Sequence, residues 1–304
     1  MSVKPDRVWF LNVGQGHAAL AISAGEAALV DCPGGKEDVV RSCLEDEAAR
    51  LVHVFVTHRD LDHCGGVPAI LESAGADHIH LNFGWALPPE SDAKIRVKAV
   101  LSRIFSIVER DSLSLTNEYE GANGTVGTVS WELLAPSITV VGVAALNDSV
   151  NTSSMVIRLT SNGCRVLITG DADDATLRRM FDGGVDLAAD VLLVPHHGAR
   201  LANLAEFLAK VEPHVVVVSA GRVNAFGHPR IETLLEVANR ANAYLACTQV
   251  SRTCHSGDLA SPDCAGSVCV DLAQPPLVRT APTGHGDRVS GLDWPICIKK
   301  VRKP

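Results

Sequence analysis

Residues 7–31 hold three strand-sized apolar runs with no helix between them, and this opening constrains the fold more than any other stretch of the chain. The runs are Val8 to Val13, Ala18 to Ile22 and Ala27 to Val30, punctuated by Gly14, Gly16 and Gly25. Further on, strands and helices alternate. The pattern predicts a helix over 36–49, a buried strand at Val52 to Val56, a short helix at Val67 to Ser73 and a strand at His78 to Leu81. A longer helix is expected at Asp92 to Arg110, where Val97, Leu101, Ile104, Phe105 and Val108 recur at helical spacing. Strands follow at Val126 to Leu134, Met155 to Leu159, Arg165 to Thr169, Val191 to Val194, Val215 to Ser219 and Tyr244 to Cys247. Between them lie helices over 173–182, 202–211 and 230–241. Residues 252–268 read as an inserted loop before a strand at Ser267 to Leu272, and 273–304 as an irregular segment.

Each strand and helix must bury an apolar face, so this order predicts two β-sheets packed face to face with helices outside. A doubly wound single sheet is the competing reading, and the strand-only opening argues against it. The expected organisation is one domain over 1–304, with a core of about 8–272 and a helical insertion at about 88–112.

Composition limits the function classes. Hydrophobic residues make up 46% of the 304 positions, which supports a large core, and aromatics only 4%. A net charge of −8 announces no basic nucleic-acid-binding face, although bound cations would change the local sign. No apolar run approaches the roughly 20 residues of a membrane helix. No charged leader opens the chain, so a cytoplasmic location with reduced thiols is expected for the nine cysteines. A zinc knuckle from Cys247, Cys254, His255, Cys264 and Cys269 is a weaker alternative, because none of the spacings is Cys-x-x-Cys.

The chemistry concentrates in Thr57-His58-Arg59-Asp60-Leu61-Asp62-His63, which follows a buried strand and precedes Gly65-Gly66. Neutral imidazoles and carboxylates suit zinc, manganese or iron. A loop can aim His58 and Asp60 one way and Asp62 and His63 another, as two adjacent ions require. Other candidate groups stand at strand ends: Asp31, Asp171, the His196-His197 pair, and His228 in a Gly-His-Pro turn.

This run resembles the strand-loop signature of the metallo-β-lactamase superfamily, His-x-His-x-Asp-His, with Asp60 in place of the second His. That variant resembles the hydrolase domain of bacterial DNA-uptake (competence) proteins and their free-standing relatives. Val13-Gly14-Gln15-Gly16, Leu29-Val30-Asp31, Asn151 to Ser154 followed by Leu167-Ile168-Thr169-Gly170-Asp171, Val194-Pro195-His196-His197-Gly198 and Gly227-His228-Pro229 match the remaining blocks in order. The opening block departs from the usual pattern, with Asn12 and His17 where acids are usual, and Asn147-Asp148 stands in the region of the usual third-block His.

The resemblance implies a four-layer αββα sandwich of two mixed sheets flanked by helices. It also implies two divalent metal ions, zinc or manganese, held by His58, Asp60, Asp62, His63, Asp171, His196 and His228, with Asp171 bridging. Asp31 would support the metal loop; of the adjacent pair His196 is favoured as the ligand, leaving His197 as a supporting or proton-transfer group, and Asp62, Asp171 and His197 are the candidate catalytic residues. His17, Asn151, Arg200 and Arg222 are candidate substrate contacts, with Arg59 and Arg230 also near the motifs; a cleft-facing His17 could instead donate to a residue behind the metal site, and His17 reads equally well as a surface residue. The expected activity is that of a metal-dependent hydrolase, with a metal-bridged hydroxide attacking a phosphodiester or nucleic-acid substrate. Alternatives are a carbonyl hydrolase acting on a lactam, lactone or thioester, and a metal-bearing interaction module of a multi-protein system.

Overall fold

A computed structural model describes residues 4–82, 92–147, 149–222, 224–239, 243–249 and 266–282. The chain begins with strands β1 (Arg7–Phe10), β2 (Ala19–Ser23) and β3 (Glu26–Val30), helix α1 (Glu37–Glu47) and strand β4 (Arg50–Phe55). The single-turn helix α2 (Leu61–Cys64), helix α3 (Val67–Ala74), strand β5 (His78–Leu81) and helix α4 (Asp92–Asp111) come next. Strands β6 (Ser114–Asn117), β7 (Asn123–Val126) and β8 (Val129–Ala135) lead to helix α5 (Ile138–Asn147), strands β9 (Val156–Ser161) and β10 (Cys164–Ile168), and helix α6 (Asp174–Asp182). Strand β11 (Val191–Leu193), helix α7 (Leu204–Val211), strand β12 (Val215–Val218), helix α8 (Ile231–Asn239) and strands β13 (Tyr244–Cys247), β14 (Gly266–Asp271) and β15 (Leu277–Pro282) follow.

The strands form two mixed sheets, β15-β14-β1-β2-β3-β4-β5-β6 and β13-β12-β11-β10-β9-β8-β7. Three apolar layers hold them. Val8, Phe10, Ala28 and Phe55 meet Trp131, Leu133, Ile157, Val166 and Val217 between the sheets. On one outer face, Val40, Ile70, Leu101 and Ile104 of the helices cover Leu29, Val54 and Ile79. On the other, Leu177, Phe207, Leu208 and Leu234 cover Leu167, Val216 and Val218. The Val215–Val218 run shows why central strands are apolar throughout: Val215 and Val217 enter the inter-sheet layer, and Val216 and Val218 the helical one. The architecture is the αββα sandwich, and the single-sheet alternative falls. No helix among the described residues is long and apolar enough to cross a membrane.

Three local expectations are corrected. The apolar stretch from Val126 to Leu134 is not one strand; Val126 pairs with Val129 across a tight Gly127-Thr128 turn, giving the β7–β8 hairpin. Gly127 takes φ +53 there, which a side chain disfavours. Residues 277–282, read as irregular, form β15 because β14 offers a free edge to pair with. Helix α5 was not anticipated, since an all-apolar sequence shows no helical period. Cys247 and Cys269 are buried free thiols, while Cys254, His255 and Cys264 lie outside the described residues.

A histidine chain joins the sheets away from the strand-end motifs. Thr125 carbonyl oxygen accepts from His53 Nε2 at 3.0 Å, and His53 Nδ1 lies 2.9 Å from His80 Nε2. His80 Nδ1 in turn lies 2.9 Å from Glu118 Oε1. Burial, and the neighbouring His53 and His78, outweigh Glu118 and push His80 down to about 4. A folded-state value below the ordinary 6.5 means that this histidine favours folding above pH 6.5 and loses that contribution as pH falls toward 4. Unfolding free energy is therefore expected to decline over that interval, and His80→Leu to flatten the slope. Urea melts across the pH range check this; an unchanged slope in the variant refutes it.

Candidate metal centre

In each sheet a group of parallel strands, β3 to β6 in one and β10 to β13 in the other, points its C-terminal ends the same way. Polar turns at the ends of β4, β10 and β11 open onto one cleft of about 570 Å³, lined by Asp60, Asp62, Asp171, His196 and His197, with His228 after β12. Carboxyl ends of strands are where open α/β sheets present their ligand sites. The local sequence explains the approach. α2 places Asp60 at its start and Asp62 and His63 within its turn. The Gly14-Gln15-Gly16 turn packs onto it: His17 N–H donates to Asp62 carbonyl oxygen at 3.2 Å, and Gly16, at φ +115, has no room for a Cβ beside that oxygen.

One donor set consists of Asp62, His63 and His197, whose ligand atoms lie within 4.8 Å of one another. His63 Nδ1 faces Asp31 Oδ2 at 2.7 Å and His197 Nδ1 faces Ser219 carbonyl oxygen at 2.8 Å. Each imidazole is thereby oriented to present Nε2, and the two Nε2 atoms are 3.2 Å apart. This is the way metal-binding histidines are held, with the second ring nitrogen donating to a carboxylate or carbonyl. Asp62 Oδ2 stands 3.6 Å from His197 Nε2 and accepts from Gln15 Nε2 at 3.4 Å.

The other set surrounds His58. Its Nε2 is 3.7 Å from Asp60 Oδ2 and 3.7 Å from Asp171 Oδ2, and His196 Nε2 is 3.6 Å from the same Asp171 oxygen. Asp171 Oδ1 instead faces His63 Nε2 at 3.2 Å and His197 Nε2 at 3.4 Å. The two oxygens of one carboxylate thus address two different donor sets. The backbone secures it: Asp171 N–H donates to Ser154 Oγ at 3.0 Å. His58 Nε2 and Asp171 Oδ1 are buried atoms without a hydrogen-bond partner, a costly arrangement unless a cation satisfies them. Imidazole and carboxylate donors at this spacing fit zinc or manganese.

Electrostatics agree. Burial opposes ionisation of Asp171, but His63, His197 and His58 outweigh it and hold the carboxyl well below its usual range. Burial likewise opposes charge on His63, and Asp171 and Asp31 on either side raise it well above 6.5. A cation at His63 Nε2 would compete with a proton for that nitrogen. Asp31, fully buried at φ +61, accepts from Thr57 N–H at 2.8 Å and Thr57 Oγ1 at 2.7 Å besides His63.

Several assignments change. His17 is not a surface residue: it is 2% exposed, with Nδ1 3.2 Å from Asp31 Oδ2 behind the donor set, the supporting position weighed for it. His197, rather than the favoured His196, belongs to a three-donor cluster among the described residues. Both take left-handed backbone angles, φ +54 and φ +51, which swing adjacent rings onto different oxygens of Asp171. His228 joins no such cluster; it lies in the cleft 5.5 Å from the His196 ring, pushed down to about 4 by burial and by His196 and His197. Asn151 and Arg230 line the cleft, whereas Arg59 is buried and Arg200 and Arg222 are exposed and are not among its lining residues. Residue-by-residue motif reading missed Gln15, Thr57, Ser154 and Ser219 as supports. Gln15, Thr57 and Ser154 lay inside the matched blocks, whereas Ser219 stood outside them.

The profile of the metallo-β-lactamase superfamily matches residues 11–222. The chain belongs to that superfamily. Its members typically hold divalent metals, and membership supports metal-dependent hydrolysis as the reaction class. Among curated relatives, superfamily likeness extends to competence protein ComA of Neisseria gonorrhoeae, 27% identical over 73% of this chain and 28% of that protein. Recombination protein 2 of Haemophilus influenzae is 27% identical over 79% of this chain and 27% of that protein. ComE operon protein 3 of Bacillus subtilis is 22% identical over 60% and 21%. The chain thus spans about a quarter of the length of these relatives. Solved superfamily structures share the fold: YhfI of Bacillus subtilis (TM-score 0.53, 11% identity, 81% of this chain and 98% of that one) and Igni18 of Ignicoccus hospitalis, a metallo hydrolase (TM-score 0.52, 15% identity, 86% and 98%).

Proposed function

We propose that this superfamily member is a metal-dependent phosphodiesterase or nuclease working with two divalent cations, zinc or manganese. The observation that carries the reading is the divided carboxylate of Asp171, with Oδ1 toward His63 and His197 and Oδ2 toward His58 and His196. Asp62, His63 and His197 would hold one ion, and His58, Asp60 and His196 the other, with Asp171 shared. Ions so placed activate water and neutralise charge developing on phosphoryl oxygens.

The chain's own groups do the rest. Asp31 and Ser219 fix the imidazole orientations. Arg230 lines the cleft with guanidinium donors suited to a phosphate, and Asn151 adds an amide. His228 lines the same cleft, its Nδ1 buried and without a hydrogen-bond partner. Three carboxylates among the ligands favour hard, oxygen-rich chemistry over soft zinc sites. The relatives' names, competence and recombination proteins, are in keeping with a nucleic-acid substrate.

The test is purified protein with manganese or zinc on single-stranded and duplex DNA, RNA, a cyclic nucleotide and bis(p-nitrophenyl) phosphate, alongside nitrocefin and a lactone. Metal-dependent turnover of phosphodiesters that EDTA abolishes is the expected result. Turnover confined to nitrocefin or the lactone, or to nothing, refutes the proposal.

A further inference from the structure

We propose that Phe226 is a stacking platform for an unpaired nucleobase beside the metal centre, so that the cleft takes single-stranded nucleic acid in preference to small phosphodiesters or duplex. The proposal rests on the phosphodiesterase reading and adds the part of the substrate that the site recognises.

Phe226 is 57% exposed, and among the exposed large apolar side chains of the described residues it is the one that lines the cleft. Its position is built. Asn224 Oδ1 accepts from Phe226 N–H at 3.1 Å and from His228 N–H at 2.9 Å. Asn224 Nδ2 donates to the carbonyl oxygens of Gly221 at 2.8 Å and His228 at 2.7 Å. Four hydrogen bonds from one side chain thus brace the turn that presents the ring.

The Phe226 and His228 rings lie nearly parallel, 14° apart with centroids at 5.9 Å. Both rings line the cleft, and Phe226 keeps most of its surface open to it. A second observation points to a ligand: His228 lines the cleft, is only 8% exposed, and its Nδ1 has no hydrogen-bond partner. A planar base on Phe226 would place its sugar and phosphate toward that nitrogen, Arg230 and Asp171, all of which share the cleft.

Aromatic platforms of this kind accept any base, because every base offers a π-face. A base inside a duplex is already stacked and paired, and reaching the ring would require unstacking it first. Small esters without a base gain nothing from Phe226.

The experiment compares wild type, Phe226→Ala and Phe226→Trp in two assays. The first is equilibrium binding, in EDTA, of an oligothymidylate and of an abasic oligomer of equal length. The second is the ratio of kcat/KM on thymidine 5′-(p-nitrophenyl phosphate) to that on methyl p-nitrophenyl phosphate, in manganese. Phe226→Ala is expected to weaken oligothymidylate binding about 5- to 150-fold relative to the abasic oligomer, and to lower the kcat/KM ratio by a similar factor, mainly through KM. Phe226→Trp restores both. Equal binding of the two oligomers by wild type, or no change in Phe226→Ala, overturns the platform. Base-dependent binding with no phosphodiester turned over supports the platform and refutes the reaction class instead.

Discussion

Asp171→Ala is expected to lower turnover by about a thousandfold or more and to cut the metal content from about two ions per chain to one or none. The reason is geometric. Every proposed donor except Asp62 has a nitrogen or oxygen facing one of the two Asp171 oxygens or, for Asp60, the shared His58. Removing the carboxylate takes a ligand from both sets at once and leaves four imidazoles facing each other without a bridging anion. Metal analysis by inductively coupled plasma mass spectrometry reads the loss independently of any substrate. Full metal occupancy in the variant would mean that Asp171 does not bridge. Changing Asp62 or His63 to Ala touches one set, and metal content is expected to fall there too.

The second large effect is at Asp31, which touches no substrate. Its carboxylate is fully buried and meets Thr57 N–H, Thr57 Oγ1, His63 Nδ1 and His17 Nδ1. Burial raises the cost of its charge, but His63 and His17 outweigh it and hold the carboxyl far below 3.8. Asp31→Ala leaves those donors buried and unpaired, at a cost of about 3–5 kcal/mol to folding. It also frees the His63 ring, so metal affinity is expected to drop about 10- to 100-fold. In the metal-free protein the contribution of Asp31 is present above pH 3.8 and is lost as pH falls through its lower folded-state value. Urea unfolding and a metal titration measure the two effects. Wild-type stability in Asp31→Ala would show that the network contributes nothing, and Asp31→Asn, which keeps the shape without the charge, separates packing from electrostatics.

Much of the architecture was legible because it depends on local periodicity. The recurrence of Val97, Leu101 and Ile104 located α4, and the unbroken valines of Val215–Val218 marked a strand. Helix α5 escaped the same reasoning because apolar residues surround it, and β15 because its partner β14 is what makes those residues a strand. The metal-loop run was legible from composition at a strand end. The choice within His196-His197 was not, since adjacent residues carry identical side chains and only the left-handed backbone decides where each ring points.

The amino-acid order alone determined the strand and helix repertoire, the two-sheet reading and the inventory of histidines and carboxylates at strand ends. Those follow from which faces must be buried and which side chains carry lone pairs, and both are properties of short segments. Tertiary structure decided which of those side chains meet. His17 became a buried neighbour of Asp31 rather than a surface group, His197 joined Asp62 and His63, Arg230 reached the cleft, and Arg200 and Arg222 did not. These outcomes depend on two sheets bringing the ends of β4, β10 and β11 to one edge, and contacts separated by more than a hundred residues leave no trace in local spacing.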